Sequence, residues 1–380
     1  MDNILKFLND NKIANLTSES DLLNLISLVK PTDKSVLENA RSYLDGLMKP
    51  PKSLGLLEEI AAKLVCVTGN DKLEINKKCV SLYCADNGVV CEGIATAPQE
   101  VTVFMARNFT KSLTGVCALA KDAGADINIV DVGMKEDVDH PLIKNMKVGY
   151  GTKNFRKEKS MTRDEAVKSV INGIMSVVEL KLMGYDIIGV GEMGIGNTTT
   201  ASAVLSAVTG LSAAETVGKG AGLSDEGYNK KKSVITEALA KYNPDKNDIL
   251  DIISCVGGFD IAAMAGAYIG AAFSQMPVVV DGFISAAAAL CAVKMCPNVL
   301  DYMFLSHCSE EKGYLAIMSA LKMEAPLNLH MRLGEGSGCP LMFKIMDSAL
   351  AVYRNMGTFA DGNISEEYVE KVQDESSFKV

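Results

Sequence analysis

Two glutamates flanked by glycines are candidates for acid–base chemistry. Glu192 lies in the segment GEMG, and Glu335 lies in the segment GEGSG. Because glycine lets the backbone approach a ligand closely, either carboxylate could be held beside a bound molecule and partly removed from water. Such a carboxylate can accept a proton during a reaction, as a general base. Each glutamate could equally cap a loop, and the residue types alone leave both interpretations open.

A glycine-rich turn surrounds the first glutamate. Gly189, Gly191 and Gly194 have the spacing GxGxxG, which is typical of dinucleotide-binding proteins, and they follow an apolar run. That fingerprint also needs an acidic residue at the end of the next strand, about 20 residues on, to bind a ribose. Glu215 has roughly this spacing, but it lies in SAAETVGKGAG, which does not resemble a strand end. The pattern therefore favours a ligand other than a dinucleotide.

The turn continues into a polar helix start that suits a phosphate. Residues 197–200 read NTTT, and they offer side-chain oxygens and backbone N–H groups at the positive end of a helix dipole. The chain lacks GxxxxGK[ST], so a P-loop is excluded. A second glycine-rich turn, 217–223, precedes the basic run 230–232. One of these lysines could reach back to a phosphate, although solvated lysines are the usual explanation of such a run.

These residues lie between segments that alternate between apolar strands and helices. The candidate strands are 79–85, 126–132, 185–191, 276–281, 301–307 and 327–333. Most are continuous apolar runs, as expected of parallel strands buried on both faces, and segments such as 162–184 and 225–242 supply helical crossovers. The fold class is therefore predicted as α/β, with a doubly wound, mainly parallel, Rossmann-like sheet. Ligands of such sheets bind at the carboxyl ends of the strands, where glycines, carboxylates and hydroxyls collect here.

Both ends of the chain have a helical pattern without strands. We predict that residues 1–70 and about 345–380 form a small helical domain, and that residues 71–344 form the large α/β catalytic domain. Residues 261–280 carry no charge and number 20, enough to cross a membrane. Gln275 and Pro277 interrupt them, so a small-residue helix followed by a buried strand is the favoured interpretation.

Composition excludes several classes of partner. The net charge is −9, which argues against nucleic-acid and anionic-membrane partners because these require clustered Lys and Arg. Ten cysteines form no CxxC pair, and the three histidines are far apart in sequence. We therefore expect no metal site and reduced core thiols in a cytoplasmic protein, with Cys91 and Cys308 as possible exceptions because they fall in loops.

Long motifs run in order from about residue 49 to 350. They include KPPKSLGLLEEIA (49–61), ADNGVVCEGIATAPQEVT (85–102), GEMGIGNTTTASA (191–203), GKGAGLSDEGYNKKKSVI (218–235), SHCSEEKGY (306–314) and RLGEGSGCPL (332–341). Together they resemble the nicotinate-nucleotide–dimethylbenzimidazole phosphoribosyltransferase family, which prepares the lower ligand of cobalamin. The resemblance implies an enzyme, typically a cytoplasmic homodimer without a cofactor, that uses nicotinate mononucleotide and a benzimidazole to make α-ribazole phosphate and nicotinate.

The resemblance also assigns residues to the site. It implies that Glu335 is the catalytic base and that Glu192 lies in the same cleft. The implied substrate-binding residues are Gly194, Gly196, Asn197, Thr198, Gly220 and Lys231 for the phosphate, Ser309 as a further contact, and Cys91, Gln99 and Leu333 for the base pocket. The chain has Asn87 and Cys308 where the family often has His and Arg. The alternatives are an NAD-dependent oxidoreductase and a non-catalytic nucleotide-binding sensor.

Overall fold

A parallel β-sheet forms the centre of the molecule. The computed structural model describes residues 16–218 and 222–364. Within them the six strands are β1 (Lys78–Ala85), β2 (Ala125–Gly133), β3 (Ile143–Asn145), β4 (Ile187–Met193), β5 (Val278–Val280) and β6 (Met303–Leu305). They pair in the order β3-β2-β1-β4-β5-β6, and every pairing is parallel. This arrangement confirms the predicted α/β class with a parallel sheet.

Helices pack around the sheet and join its strands. In the described part of the chain the α-helices are α1 (Glu19–Ser27), α2 (Lys34–Asp45), α3 (Leu56–Thr68), α4 (Val101–Thr110), α5 (Gly115–Asp122), α6 (Arg163–Leu182), α7 (Asn197–Thr209), α8 (Ala213–Thr216), α9 (Asp225–Tyr242), α10 (Ile249–Val256), α11 (Phe259–Phe273), α12 (Phe283–Met295), α13 (Tyr314–Leu321) and α14 (Gly338–Asn355). Both predicted crossover helices, α6 and α9, are present.

The apolar segment 261–280 lies inside the protein. It forms most of α11 and then β5, whose residues are buried. Gly173 of α6 and Gly266 of α11 let the two helices touch, because a Cβ at either position would overlap a backbone carbonyl of the other helix. The interpretation of this segment as a helix followed by a strand is confirmed. Across the two described ranges, no helix combines the length and the apolar character needed to cross a membrane.

Two features of the sheet differ from the prediction. The predicted strand 327–333 is wrong: only an isolated bridge joins Leu327 to His307, and the residues beyond it are irregular, with mostly exposed or half-exposed side chains. This segment leads directly into the glycine-rich loop at 334–336, so it does not continue along the sheet. Strand β3 was not predicted because its three residues, IKN, include a single apolar side chain and do not form an apolar run.

Helices from the two ends of the chain meet. Helix α14 packs on α3, and a bridge joins Leu47 to Thr358. Arg354 on α14 forms an ion pair at 2.9 Å with Glu74, which lies in the segment between α3 and β1. The division into a helical domain (1–70 and about 345–380) and an α/β domain (71–344) stays a prediction, and residues 1–15 and 365–380 lie outside the described residues.

Candidate active site

A cavity of about 210 Å³ opens at the carboxyl ends of the strands. Acidic, basic and hydroxyl side chains from separate strand ends line it. Glu192 comes from the end of β4, Asp281 follows β5, His307 follows β6, and Glu335 lies in the loop before α14. Because the strands are parallel, residues more than 140 positions apart in the sequence meet at one edge of the sheet.

Glu335 is held in an unusual backbone conformation. Gly334, Glu335 and Gly336 all have positive φ angles, of 81°, 60° and 75°. A left-handed conformation is unfavourable for glutamate, so the surrounding contacts must stabilise it. The side chain is only 8% exposed, and among the described residues Oε2 has no hydrogen-bond partner. This oxygen is therefore free to accept a proton from a bound molecule.

Burial controls the proton affinity of Glu335. Loss of hydration raises the pKa of its carboxyl group, and the negative charge of Asp281 acts in the same direction. The backbone N–H of Val116 opposes them by stabilising the ionised form. A raised pKa makes the ionised carboxylate a stronger base than a solvated glutamate.

Glu192 connects the glycine-rich turn to the loop that carries Glu335. Its Oε2 accepts a hydrogen bond from Asn197 Nδ2, and its Oε1 accepts one from the backbone N–H of Glu335 at 3.3 Å. A Cβ at position 334 would lie 2.7 Å from Glu192 Oε1, so a larger residue with this positive φ would be strained and would displace the carboxylate. Burial raises the pKa of Glu192 to about 8, and the nearby charges of Asp260 and Asp281 add to the effect. Glu192 thus positions the loop of Glu335.

The predicted phosphate turn is a helix N-terminus. Gly196 is the N-cap of α7 with φ 89°, and Gly194 approaches the carbonyl of Ala85 too closely for any larger residue. Two amides of the turn, those of Asn197 and Thr199, donate within the turn itself. The side chain of Asn197 faces Glu192 and Asp260, so it contributes to the acidic network beneath the turn.

Lys231 reaches this turn from α9. Its side chain is fully buried, and Nζ donates a hydrogen bond to Thr198 Oγ1 at 2.8 Å. Burial lowers the pKa of Lys231 to about 8, and the Glu311 carboxylate opposes this change. Of the two interpretations of the basic run, the contact with the turn therefore holds for Lys231. Arg332 and Glu311 also line the cavity, so charges of both signs reach it.

The structure places most predicted site residues at one cavity. Those lining it are Glu192, Gly194, Gly196, Asn197, Thr198, Ser309, Leu333 and Glu335. Lys231 reaches it through Thr198, and Gly220 lies outside the described residues. Leu333 is 58% exposed, which suits the mouth of the cavity.

Cys91 and Gln99 flank the cavity without lining it. Residues 94–97, which lie between them in sequence, form part of the wall. Cys91 is exposed, and its Sγ donates to the carbonyl of Gly88 at 2.7 Å. Gln99 donates to the carbonyl of Asn87 at 3.3 Å and accepts from Lys135 Nζ. Both side chains are thus engaged with protein groups at the edge of this segment.

Most of the cysteines are buried. All ten are free thiols, Cys91 is exposed, Cys308 is half-buried, and the others are buried. Across residues 16–218 and 222–364 there is no cluster of three or more His, Cys, Asp and Glu side chains that could hold a metal ion.

Sequence reasoning missed four charged or titratable residues of the cavity. They are Asp281, His307, Glu311 and Arg332. Asp281, His307 and Glu311 lie at or soon after the ends of predicted strands that the structure contains, so their positions were a usable signal. Arg332 belongs to the wrongly predicted strand 327–333 and had no such signal. What the sequence could not supply was the order of the strands, which brings β4, β5 and β6 side by side.

Comparison with known proteins places the chain in a family. A family model described as "Phosphoribosyltransferase" matches residues 29–364. The nicotinate-nucleotide–dimethylbenzimidazole phosphoribosyltransferase of Clostridium tetani (strain Massachusetts / E88) is 47% identical over 336 residues, which is 88% of this chain and 93% of the relative. The enzyme of that name from Acetivibrio thermocellus is 49% identical over 333 residues, or 88% and 95% of the two chains.

A solved structure agrees with these relatives. The crystal structure of the enzyme of that name from Thermus thermophilus superimposes with a TM-score of 0.83 at 35% identity. The match covers 88% of this chain and 99% of the other. Sequence and fold therefore agree over most of both chains: this chain belongs to the nicotinate-nucleotide–dimethylbenzimidazole phosphoribosyltransferase family and is a pentosyltransferase.

Proposed function

We propose that this chain transfers the 5-phosphoribosyl group from nicotinate mononucleotide to 5,6-dimethylbenzimidazole, with Glu335 as general base. The products are α-ribazole 5′-phosphate and nicotinate, as in synthesis of the cobalamin lower ligand. The names of the relatives support this choice of substrates. The observation that carries the role of Glu335 is its buried carboxylate, whose Oε2 lacks a partner among the described residues, at the wall of the cavity.

The leaving group supplies much of the driving force. In nicotinate mononucleotide the ring nitrogen is part of a positively charged pyridinium. When the C1′–N bond breaks, its electron pair goes to this nitrogen and neutralises the ring. The leaving side therefore needs no general acid, and the protein has only to bind and orient the donor.

The acceptor needs a base. One benzimidazole nitrogen attacks C1′ and forms the new C–N bond, while the other nitrogen must release its proton. Glu335 accepts that proton, a step typically worth about 10²–10⁴-fold in rate. Attack from the side opposite to nicotinate converts a β linkage into an α linkage. Glu192 supports the step by bonding the backbone N–H of Glu335.

The remaining predicted residues divide between the two substrates. We assign the donor phosphate to the turn at 194–200, with Lys231 and Thr198 supplying positive charge and a hydroxyl. Gly220 belongs to this assignment by its motif, and Ser309 lines the same cavity. The acceptor base is assigned to the wall at 94–97 and Leu333, with Cys91 and Gln99 at its edge.

The two alternatives have weaker support. Glu215, the candidate for a ribose-binding carboxylate at the dinucleotide spacing, caps α8 by accepting hydrogen bonds from the backbone and hydroxyl of Ser212 at 2.9 and 2.7 Å. A nucleotide sensor would not need the buried base Glu335. The test is incubation with nicotinate mononucleotide, with and without dimethylbenzimidazole. Nicotinate release that depends on the acceptor supports the proposal, whereas binding without release favours the sensor.

Oligomeric state and location stay predictions. The family resemblance predicts a homodimer, the cysteine spacing predicts a cytoplasmic protein, and the net charge of −9 argues against nucleic-acid and anionic-membrane partners. Light scattering of the purified full-length chain during size-exclusion chromatography measures its mass directly. A mass of twice 40.6 kDa is the expected result.

A further inference from the structure

Asp281 is a buried carboxylate directly beneath the loop of Glu335. It follows β5, is only 2% exposed, and lines the cavity. Its Oδ2 accepts a hydrogen bond from the backbone N–H of Gly336 at 3.0 Å, and its Oδ1 accepts one from that of Gly338 at 2.7 Å. One side chain thus ties the loop to the end of the central sheet.

Two carboxylates together hold the strained segment. Glu192 accepts from the N–H of Glu335, and Asp281 accepts from the N–H groups of the residues one and three positions further along. Three successive positive φ angles persist only where surrounding contacts impose them. Hydrogen bonds to an ionised acceptor are about twice as strong as neutral ones, so the two bonds to the Asp281 carboxylate contribute most to imposing the conformation.

We propose that Asp281 is a positioning residue, whose carboxylate holds the backbone amides that direct Glu335 toward the acceptor base. This inference rests on the role of Glu335 proposed above. Asp281 itself touches no reacting atom. It acts through the loop, so its loss should reduce turnover much more than it weakens donor binding.

Asp281 also acts through its charge. Six titratable groups from the surrounding elements face it: Glu192 of β4, Tyr268 of α11, His307 after β6, Tyr314 of α13, Glu335 of the loop and Cys339 of α14. Among these groups His307 carries a positive charge when it is protonated, and its Nδ1 lies 3.9 Å from Oδ1 of Asp281. The negative charge of Asp281 raises the pKa of both Glu335 and Glu192. Removing it should therefore lower both pKa values.

Asp281→Asn tests both effects. The amide keeps the shape of the side chain, but one N–H group of the loop would face an NH₂ group instead of an oxygen. We expect kcat to fall about 10²-fold, as for a misplaced catalytic group, while the Kd for nicotinate mononucleotide stays within about threefold of the parent value. The acid limb of the pH profile of kcat/KM should move to lower pH, because the pKa of Glu335 falls.

Asp131→Asn is the matched control. Asp131 is equally buried at the end of β2 and accepts two backbone N–H groups, from Gly133 at 3.0 Å and Met134 at 2.9 Å. It does not line the cavity. This variant should lose stability without moving the pH profile. Asp281→Glu separates the two roles, since it keeps the charge but displaces the carboxylate: kcat should fall with the acid limb unmoved.

The outcomes are distinct. Parental kcat in Asp281→Asn, or a loss of donor affinity as large as the fall in kcat, would overturn the positioning role. An acid limb that stays in place while kcat falls would overturn the charge effect. If Asp281→Asn does not fold, Asp281→Glu decides, and parental turnover in that variant would overturn the proposal. Failure of the proposed function shows separately, as parental turnover in Glu335→Gln, which leaves Asp281 intact.

Discussion

Replacing Glu335 by glutamine should separate catalysis from binding and folding. Glutamine has nearly the same shape, and its side chain reaches the same cavity wall without disturbing the loop backbone. Its amide cannot accept the proton of the acceptor N–H. Loss of a general base typically costs about 10²–10⁴-fold in rate, which corresponds to about 2.7–5.4 kcal/mol of transition-state stabilisation at 1.36 kcal/mol per tenfold.

The thermal stability of Glu335→Gln should be retained or increased although its activity falls. Burial raises the pKa of Glu335, so the ionised carboxylate destabilises the folded state at pH values above its unfolded pKa. A neutral glutamine removes this effect, because it carries no charge at any pH. The melting temperature of Glu335→Gln near neutral pH should therefore equal or exceed that of the parent. A stabilised but inactive variant is typical of a strained catalytic position.

The assay is nicotinate release under single-turnover conditions, with binding of each substrate measured by calorimetry. We expect Kd values close to those of the parent and a loss of turnover that is largest above the pKa of Glu335 and shrinks at lower pH, where the base of the parent is itself protonated. Turnover within a few-fold of the parent would refute the role of Glu335. The proton acceptor would then have to be sought at Glu192, which lies on the same cavity wall.

Three further predictions follow from the site. Since burial raises the pKa of Glu192 to about 8, the folded state binds its proton more tightly than the unfolded chain does. The melting temperature should therefore fall as pH rises toward 8, and less so in Glu192→Gln; an equal slope would contradict this. Lys231→Met should raise the KM for nicotinate mononucleotide about 10- to 100-fold, and a parental KM would contradict this. Lys232→Met is the control and should leave the KM unchanged, because the Lys232 Nζ lies over the Tyr228 ring. In competition assays unsubstituted benzimidazole should be accepted, because a methyl group is worth only about 1–3 kcal/mol in an apolar pocket. Adenine should be a poorer acceptor, because its extra ring nitrogens would lose water without gaining a partner. A specificity ratio of several thousand between dimethylbenzimidazole and benzimidazole would contradict this.

Long apolar runs made the central strands predictable. Strands β1, β2 and β4 have seven to nine residues each, and β1 and β4 are buried throughout. Strands β5 and β6 have only three residues each, whereas the run at 327–333, LNLHMRL, alternates apolar and polar residues as a half-buried strand does, yet its side chains are exposed or half-exposed. Local composition could not separate these cases, because the burial of a short segment depends on its neighbours in the sheet.

The site was predictable where a motif contains its own chemistry. Glu192 and Glu335 stand out because glycines surround them, and the Gly194–Thr200 turn because it opens a helix. Asp281 has no such context: its role comes from two backbone amides more than 50 residues away. Lys231 likewise gains its contact with Thr198 only through the packing of α9 against α7.

The most direct test is a crystal structure of Glu335→Gln with nicotinate mononucleotide and dimethylbenzimidazole bound together. The inactive variant should trap both substrates before transfer. We predict that the donor phosphate lies at the Gly194–Thr200 turn and that the acceptor N–H lies within about 2.6–3.2 Å of the side-chain oxygen of residue 335. An acceptor N–H facing a different carboxylate, or a phosphate bound away from this turn, would contradict it.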